Sequence, residues 1–141
     1  MRGSLQSYRK VSLESEITVA SPHRIIQLMF AGALQRLAQS RLAIEQNDLS
    51  NKGMYIGKAI GIITGLNNSL DMDAGGQIAR NLSDLYDFML RRISEANLNN
   101  DVKAIDDVCD ILRTIKEGWD AIPADKHNIS AHSEAGYYLI S

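Results

Sequence analysis

The sequence predicts an all-α protein: an antiparallel up-down four-helix bundle with an extended or short-helical N-terminal segment and a flexible C-terminal tail. Apolar residues recur at i, i+3, i+4 and i+7 through four long stretches, the signature of amphipathic helices. Proline occurs only at positions 22 and 123, and the polar runs EQNDLSNKG (45–53), DMDAGG (71–76) and ANLNND (96–101) divide the span between them. No run alternates convincingly as a core strand, and EITVA (16–20) reads as an extended lead-in. Short connections make neighbouring helices antiparallel.

The first helix opens at Ser21-Pro22, with serine as N-cap and proline at the first helical position, where its missing N–H costs nothing. It is expected over about 22–47, followed by helices over about 50–71, 76–97 and 101–121, the last after an Asn100 or Asp101 cap. Residues 1–20 then form an N-terminal segment, 21–122 the bundle and 123–141 the tail. The second helix offers Ile56, Ala59, Ile60, Ile63, Leu66 and Leu70 to the core. The third offers Ile78, Leu82, Leu85, Tyr86, Met89 and Ile93, and the fourth Ile105, Val108, Leu112, Ile115 and Trp119. The first helix departs from a single stripe: Ile25, Ile26, Leu28, Met29, Phe30, Leu34 and Leu37 spread over more than one side. Either it is the central helix of the bundle, or its second face meets the N-terminal segment or a foreign helix.

A chain of 141 residues with 15 basic and 17 acidic side chains fits one domain and lacks the basic field that nucleic acid requires. The single cysteine, Cys109, permits no internal disulfide and suits a reducing compartment, so the cytoplasm is expected. Residues 1–20 contain no continuous hydrophobic signal region, and the most apolar window is interrupted by Lys58. It is too short for the roughly 20 residues that cross a bilayer, so no stable membrane insertion is expected.

Catalysis needs a convergent nucleophile, base and electrophile, or a metal cluster, and no such pattern is present. His23 in the first helical turn suits helix initiation or the surface; His127 and His132 lack helical spacing and ligand companions. DMDAGG places Gly75 at the fifth position and Leu82 at the twelfth, which rules out a calcium loop and leaves a turn. Arg91-Arg92 suits the negative end of the third helix, and Cys109 reads as a small buried hydrophobe. No enzyme activity and no cofactor is expected; a binding protein is.

Gly57, Gly61 and Gly65 recur every fourth residue inside the second helix, although each costs about 0.5–1 kcal/mol relative to alanine. At about 100° per residue they lie nearly opposite the core set, flanked by Lys58, Thr64 and Asn68. That bare face is either a track for another backbone or a tolerated accident.

Several strings occur together in one order: SLQSYRKVSLES, ASPHRIIQLMFAGAL, KAIGIITGLNNSLD, GGQIARNLSDLYDFMLRRISEANLNND and ILRTIKEGWDAI. Over roughly residues 5–122 this order resembles the flagellar export chaperone family known as FliS. The most specific parts are Ala20-Ser21-Pro22, Gly32-Ala33, Leu70-Asp71, Gly75-Gly76-x-Ile78-Ala79-x-Asn81-Leu82, Leu85-Tyr86, Ala96-Asn97 and Trp119. The resemblance implies a cytoplasmic chaperone that binds the disordered C-terminal segment of flagellin, prevents premature polymerisation and delivers it to the type III export gate. It also implies an export-gate component, and an anti-sigma factor or other regulator, as partners.

Leu5 and Tyr8 stand where the family has an apolar residue and a tyrosine implicated in the client surface. Tyr8 is then a gate or anchor for an apolar groove, or a residue packed permanently on the bundle. Ile25, Met29 and Ile62 complete the candidate client contacts, the last because it lies outside the second helix's core stripe. The alternative is a self-assembling structural or adaptor bundle, a homodimer for example, without a secretion client. Two departures from the family pattern stand out. Ala31-Gly32-Ala33 replaces the usual acidic-Gly-Ala, and glycine replaces polar or charged residues at 61 and near 65. The tail has no family counterpart; its Tyr137-Tyr138-Leu139-Ile140 is an apolar tip suited to a groove, such as that of a neighbouring copy.

Overall fold

The computed structural model describes residues 21–129. Four helices follow one another: α1 (Pro22–Glu45), α2 (Leu49–Asn68), α3 (Met72–Asn99) and α4 (Val102–Asp120), with a short 3-10 turn at Ala124–Ile129. Each packs on its chain neighbour, and α4 returns to α1, closing an antiparallel ring. The α1–α2 contact is by far the most extensive.

Polar side chains start every helix. Ser21 Oγ accepts from the Arg24 N–H at 3.2 Å, with Pro22 beginning the helix. Asp48, Asp71 and Asp101 cap α2, α3 and α4 by accepting from N–H groups of their first turns. Each satisfies donors that have no intrahelical partner. Two connections share one device: Asn47 and Asn100 both take the left-handed conformation, φ 55° and 53°, immediately before the capping aspartate. Asparagine tolerates that region better than most residues, so an Asn-Asp pair ends one helix and begins the next. The Asn100 and Asp101 alternatives for the fourth helix resolve into these two roles.

The α2–α3 connection differs. Met72 to Gly75 form a helical turn on the Asp71 cap, with the Gly75 N–H bonded to the Asp71 carbonyl at 2.8 Å. Gly76 then breaks the helix at φ 52°, ψ −129°, a conformation that a side chain strains, and α3 restarts from Gln77. The stretch expected as a simple turn is therefore a helical turn plus a kink.

Phe30, Leu37, Ile56, Ile63, Leu66, Tyr86, Met89, Ile93, Ile105, Val108 and Leu112 make a continuous interior with Ala33, Ala59, Ala96 and Ala104. Ile60, Leu70, Leu82 and Ile115 pack on its rim, half-buried. Cys109 is buried, and burial pushes its thiol upward, so it remains a protonated, unreactive hydrophobe. Burial likewise raises Tyr86 far above the ordinary phenol range.

Polar ties lie across the helix seams. The Arg41 guanidinium donates to Asp106 at 2.9 and 3.3 Å, joining α1 to α4. Lys52 reaches from α2 to the Asn97 carbonyl (2.9 Å) and the Asn100 side chain (2.7 Å), placing a cation at the negative end of α3. Among the described residues, no helix is long and apolar enough to cross a membrane.

Candidate binding surface

Two expected core residues are not in the core. Ile78 is 68% exposed and Leu85 37%, although both fit the period of α3. The centre of the buried set lies at Ala79, Tyr86 and Ile93, so the helix is rotated away from the 78–85 line. Phe88, 42% exposed, lies three residues beyond Leu85 on the same side, so the three form an open apolar strip.

Arg92 shows which way the strip faces. It continues the Ile78–Leu85 line by a further seven residues and reaches α4, with ion pairs to Asp107 at 3.0 Å and Asp101 at 3.7 Å. It also pairs with Glu95 at 2.9 Å within α3. The Glu95 and Asp107 carboxylates raise the Arg92 pKa. Asp107, held by Lys103 and then Arg92, lies below the usual carboxylate range. Arg92 therefore ties two helices together, a different role from the helix-end complement expected of Arg91-Arg92. Upstream of this charged clasp, the α4 side of α3 carries Ile78, Leu85 and Phe88, with exposed Asn81 between them accepting from Gln77 Nε2 at 2.8 Å. Across the seam, α4 contributes Ile111 and Ile115, both half-buried against the core, and Gly118, with open space where a side chain would stand.

The α1–α2 seam is built the opposite way. A Cβ added to Gly65 would lie 3.0 Å from Met29 Cε, and one added to Gly32 would lie 3.4 Å from Ile62 Cδ1. Each glycine follows its own helix's bulky residue by three positions, so Met29 enters the space at Gly65 while Ile62 enters the space at Gly32. This corrects the picture of one bare glycine face: Gly57 and Gly61 are open, whereas Gly65 receives Met29. The stripe drifts toward α1 because a spacing of four advances by about 40° per step.

The remaining candidate residues fall in three places. Ile25 is buried, 3% exposed, on α1. Met29 and Ile62 are half-buried on the glycine seam. Leu5 and Tyr8 lie outside the described residues, as does the Tyr137–Ile140 tip. His23, expected at the surface or in helix initiation, is buried and stacks on Trp119, with ring centroids 4.6 Å apart and planes 11° from parallel. The Trp119 indole N–H donates to the His23 carbonyl at 3.0 Å. Gln27 adds a 2.8 Å bond to Asp120, whose carboxyl is held low, first by Lys116. Together they fix the start of α1 to the end of α4. A second, shallow depression on α3 is lined by Leu90, Arg91, Ser94, Glu95 and Leu98.

Sequence reasoning missed the α3 strip because period alone does not fix the centre of a buried stripe to better than one residue. Phe88 carried a signal: a large aromatic placed off the core line of a helix that already had enough apolar residues. Exposed apolar side chains aligned along one helix suit binding.

Residues 4–126 match the family described as "Flagellar protein FliS". The flagellar secretion chaperone FliS of Vibrio cholerae is 50% identical over 131 residues, covering 93% of this chain and 96% of that protein. FliSB of Pseudomonas aeruginosa is 47% identical over 119 residues, with coverages of 84% and 94%. FliS of Salmonella typhimurium has the same identity over 119 residues, with coverages of 84% and 88%. With almost its whole helical span matched and half of the aligned residues shared with one relative, the chain belongs to the FliS family, a family of chaperones and not of enzymes.

Proposed function

We propose that this protein is a cytoplasmic export chaperone that binds the disordered C-terminal segment of flagellin, blocks its premature assembly and hands it to an export-gate component. The observation that carries the reading is the open strip Ile78–Leu85–Phe88 on a bundle of the FliS family, whose relatives bear the name flagellar secretion chaperone. Residues at i, i+7 and i+10 present an apolar line against which an amphipathic helix lays its own apolar face.

Leu5 and Tyr8 act as the gate from the N-terminal segment, while Ile25, Met29 and Ile62 contribute along α1–α2. An anti-sigma factor or other regulator is a further partner. Folding of the client on binding costs several kcal/mol of ordering, offset by burial along an extended surface, which keeps release at the export gate easy.

The test mixes the protein with a peptide from the C-terminal region of its own organism's flagellin, following helicity by circular dichroism and stoichiometry by calorimetry. One-to-one binding with gained helix is expected. Absence of binding, together with a mass that grows with protein concentration, would replace the chaperone by the self-assembling adaptor.

A further inference from the structure

The open strip has a candidate occupant within the same chain. We propose that Tyr137-Tyr138-Leu139-Ile140 seat in cis on Ile78, Leu85 and Phe88, holding the α3–α4 seam until a client displaces them. Four consecutive large apolar residues stand in the tail, and the FliS match ends at residue 126, leaving them outside the family pattern. Ile78, Leu85 and Phe88 stand exposed on one side of α3.

Topology brings this segment within reach of the strip. The Arg92 clasp puts the start of α4 beside the end of α3, so the antiparallel partner's other end, Asp120, lies beside Ile78. The tail continues from α4, which is itself one wall of the seam, and Ile122 keeps the chain on the core before Pro123 turns it. Distance is no obstacle: the eight residues from Ile129 to Tyr137 span up to about 26 Å when extended. The strip from Ile78 to Phe88 is about 15 Å long. A tethered segment faces its site at an effective concentration in the millimolar range, so even weak apolar contacts keep it substantially occupied.

Docking itself does not depend on the flagellin reading; only the competition does. The experiment compares the full chain with a full-length variant carrying Tyr137→Ser, Tyr138→Ser, Leu139→Ser and Ile140→Ser, each without added peptide. The methyl signals of Ile78 and Leu85 and the ring signals of Phe88 are expected to differ between the two proteins, with the difference unchanged on dilution. Identical signals overturn the proposal, and a difference that vanishes on dilution overturns it in favour of docking between copies. A second measurement adds the flagellin peptide. The tail variant is expected to bind it on the order of three- to tenfold more tightly, given that effective concentration. Altered signals with equal peptide affinity leave the tail on the strip but overturn its role as competitor. Altered signals with no peptide binding to either protein overturn the client reading and leave the docking intact.

Discussion

The two halves of the bundle solve the same packing problem differently. In α1–α2, Gly32 and Gly65 let two helices approach until Ile62 and Met29 fill each other's spaces, and the contact is the most extensive in the fold. In α3–α4, a charged clasp of Arg92 with Asp101 and Asp107 holds one end, while Ile78, Leu85 and Phe88 stand open along the other. Interlocked small and large residues close the contact between the two helices and leave only the accessible parts of half-buried Met29 and Ile62 for a client. A hinge-like charged contact beside uncovered apolar surface leaves a great deal. On the proposed reading, the first hairpin serves mainly as scaffold and the second as the main working surface.

Substitutions separate these roles. The largest expected effect is on binding: replacing Ile78, Leu85 and Phe88 together by serine removes apolar burial worth about 1.5–3 kcal/mol per side chain. Affinity for the flagellin peptide, by calorimetry, should fall by at least about a hundredfold, while the thermal midpoint stays within a few degrees. A cooperative loss of stability instead would make the strip part of the scaffold.

Gly32→Leu attacks the other hairpin. It forces a bulky side chain into the place of Ile62 and should cost about 1–3 kcal/mol in urea unfolding. The Gly76→Ala change is expected to cost a similar amount, about 1–3 kcal/mol, because alanine cannot rest at φ 52°, ψ −129°.

Smaller effects sharpen the glycine seam. Gly57→Ala and Gly61→Ala meet open space and should each stabilise by about 0.5–1 kcal/mol, read as a raised thermal midpoint. Gly65→Ala should fall short of that gain, since Met29 must yield; equal gains at all three positions would show that the seam is not tight there.

The charged clasp gives the smallest effect and a sign. Because Asp107 titrates below its ordinary value in the folded protein, its contribution is present above the carboxylate range and is lost as pH falls through the depressed folded value. The difference in urea midpoint between wild type and Asp107→Asn should therefore be visible near neutrality and shrink below about pH 4. A difference that persists in acid would assign Asp107 a role other than its charge.

The apolar period, the polar breaks and the capping residues Ser21, Asp48, Asp71 and Asp101 are local features, so the four helices were legible in the residues themselves. The family was legible too, because its marks sit where backbone geometry is demanding or the core is full: the Ser21-Pro22 start, the Gly76 kink and buried Trp119. Which side of each helix meets which neighbour depends on rotation and crossing, and these are set by the fit of all four helices at once. Only the tertiary structure could bury His23 against Trp119, turn Ile78 and Leu85 outward, and divide one regular row of glycines into two open positions and one filled by Met29.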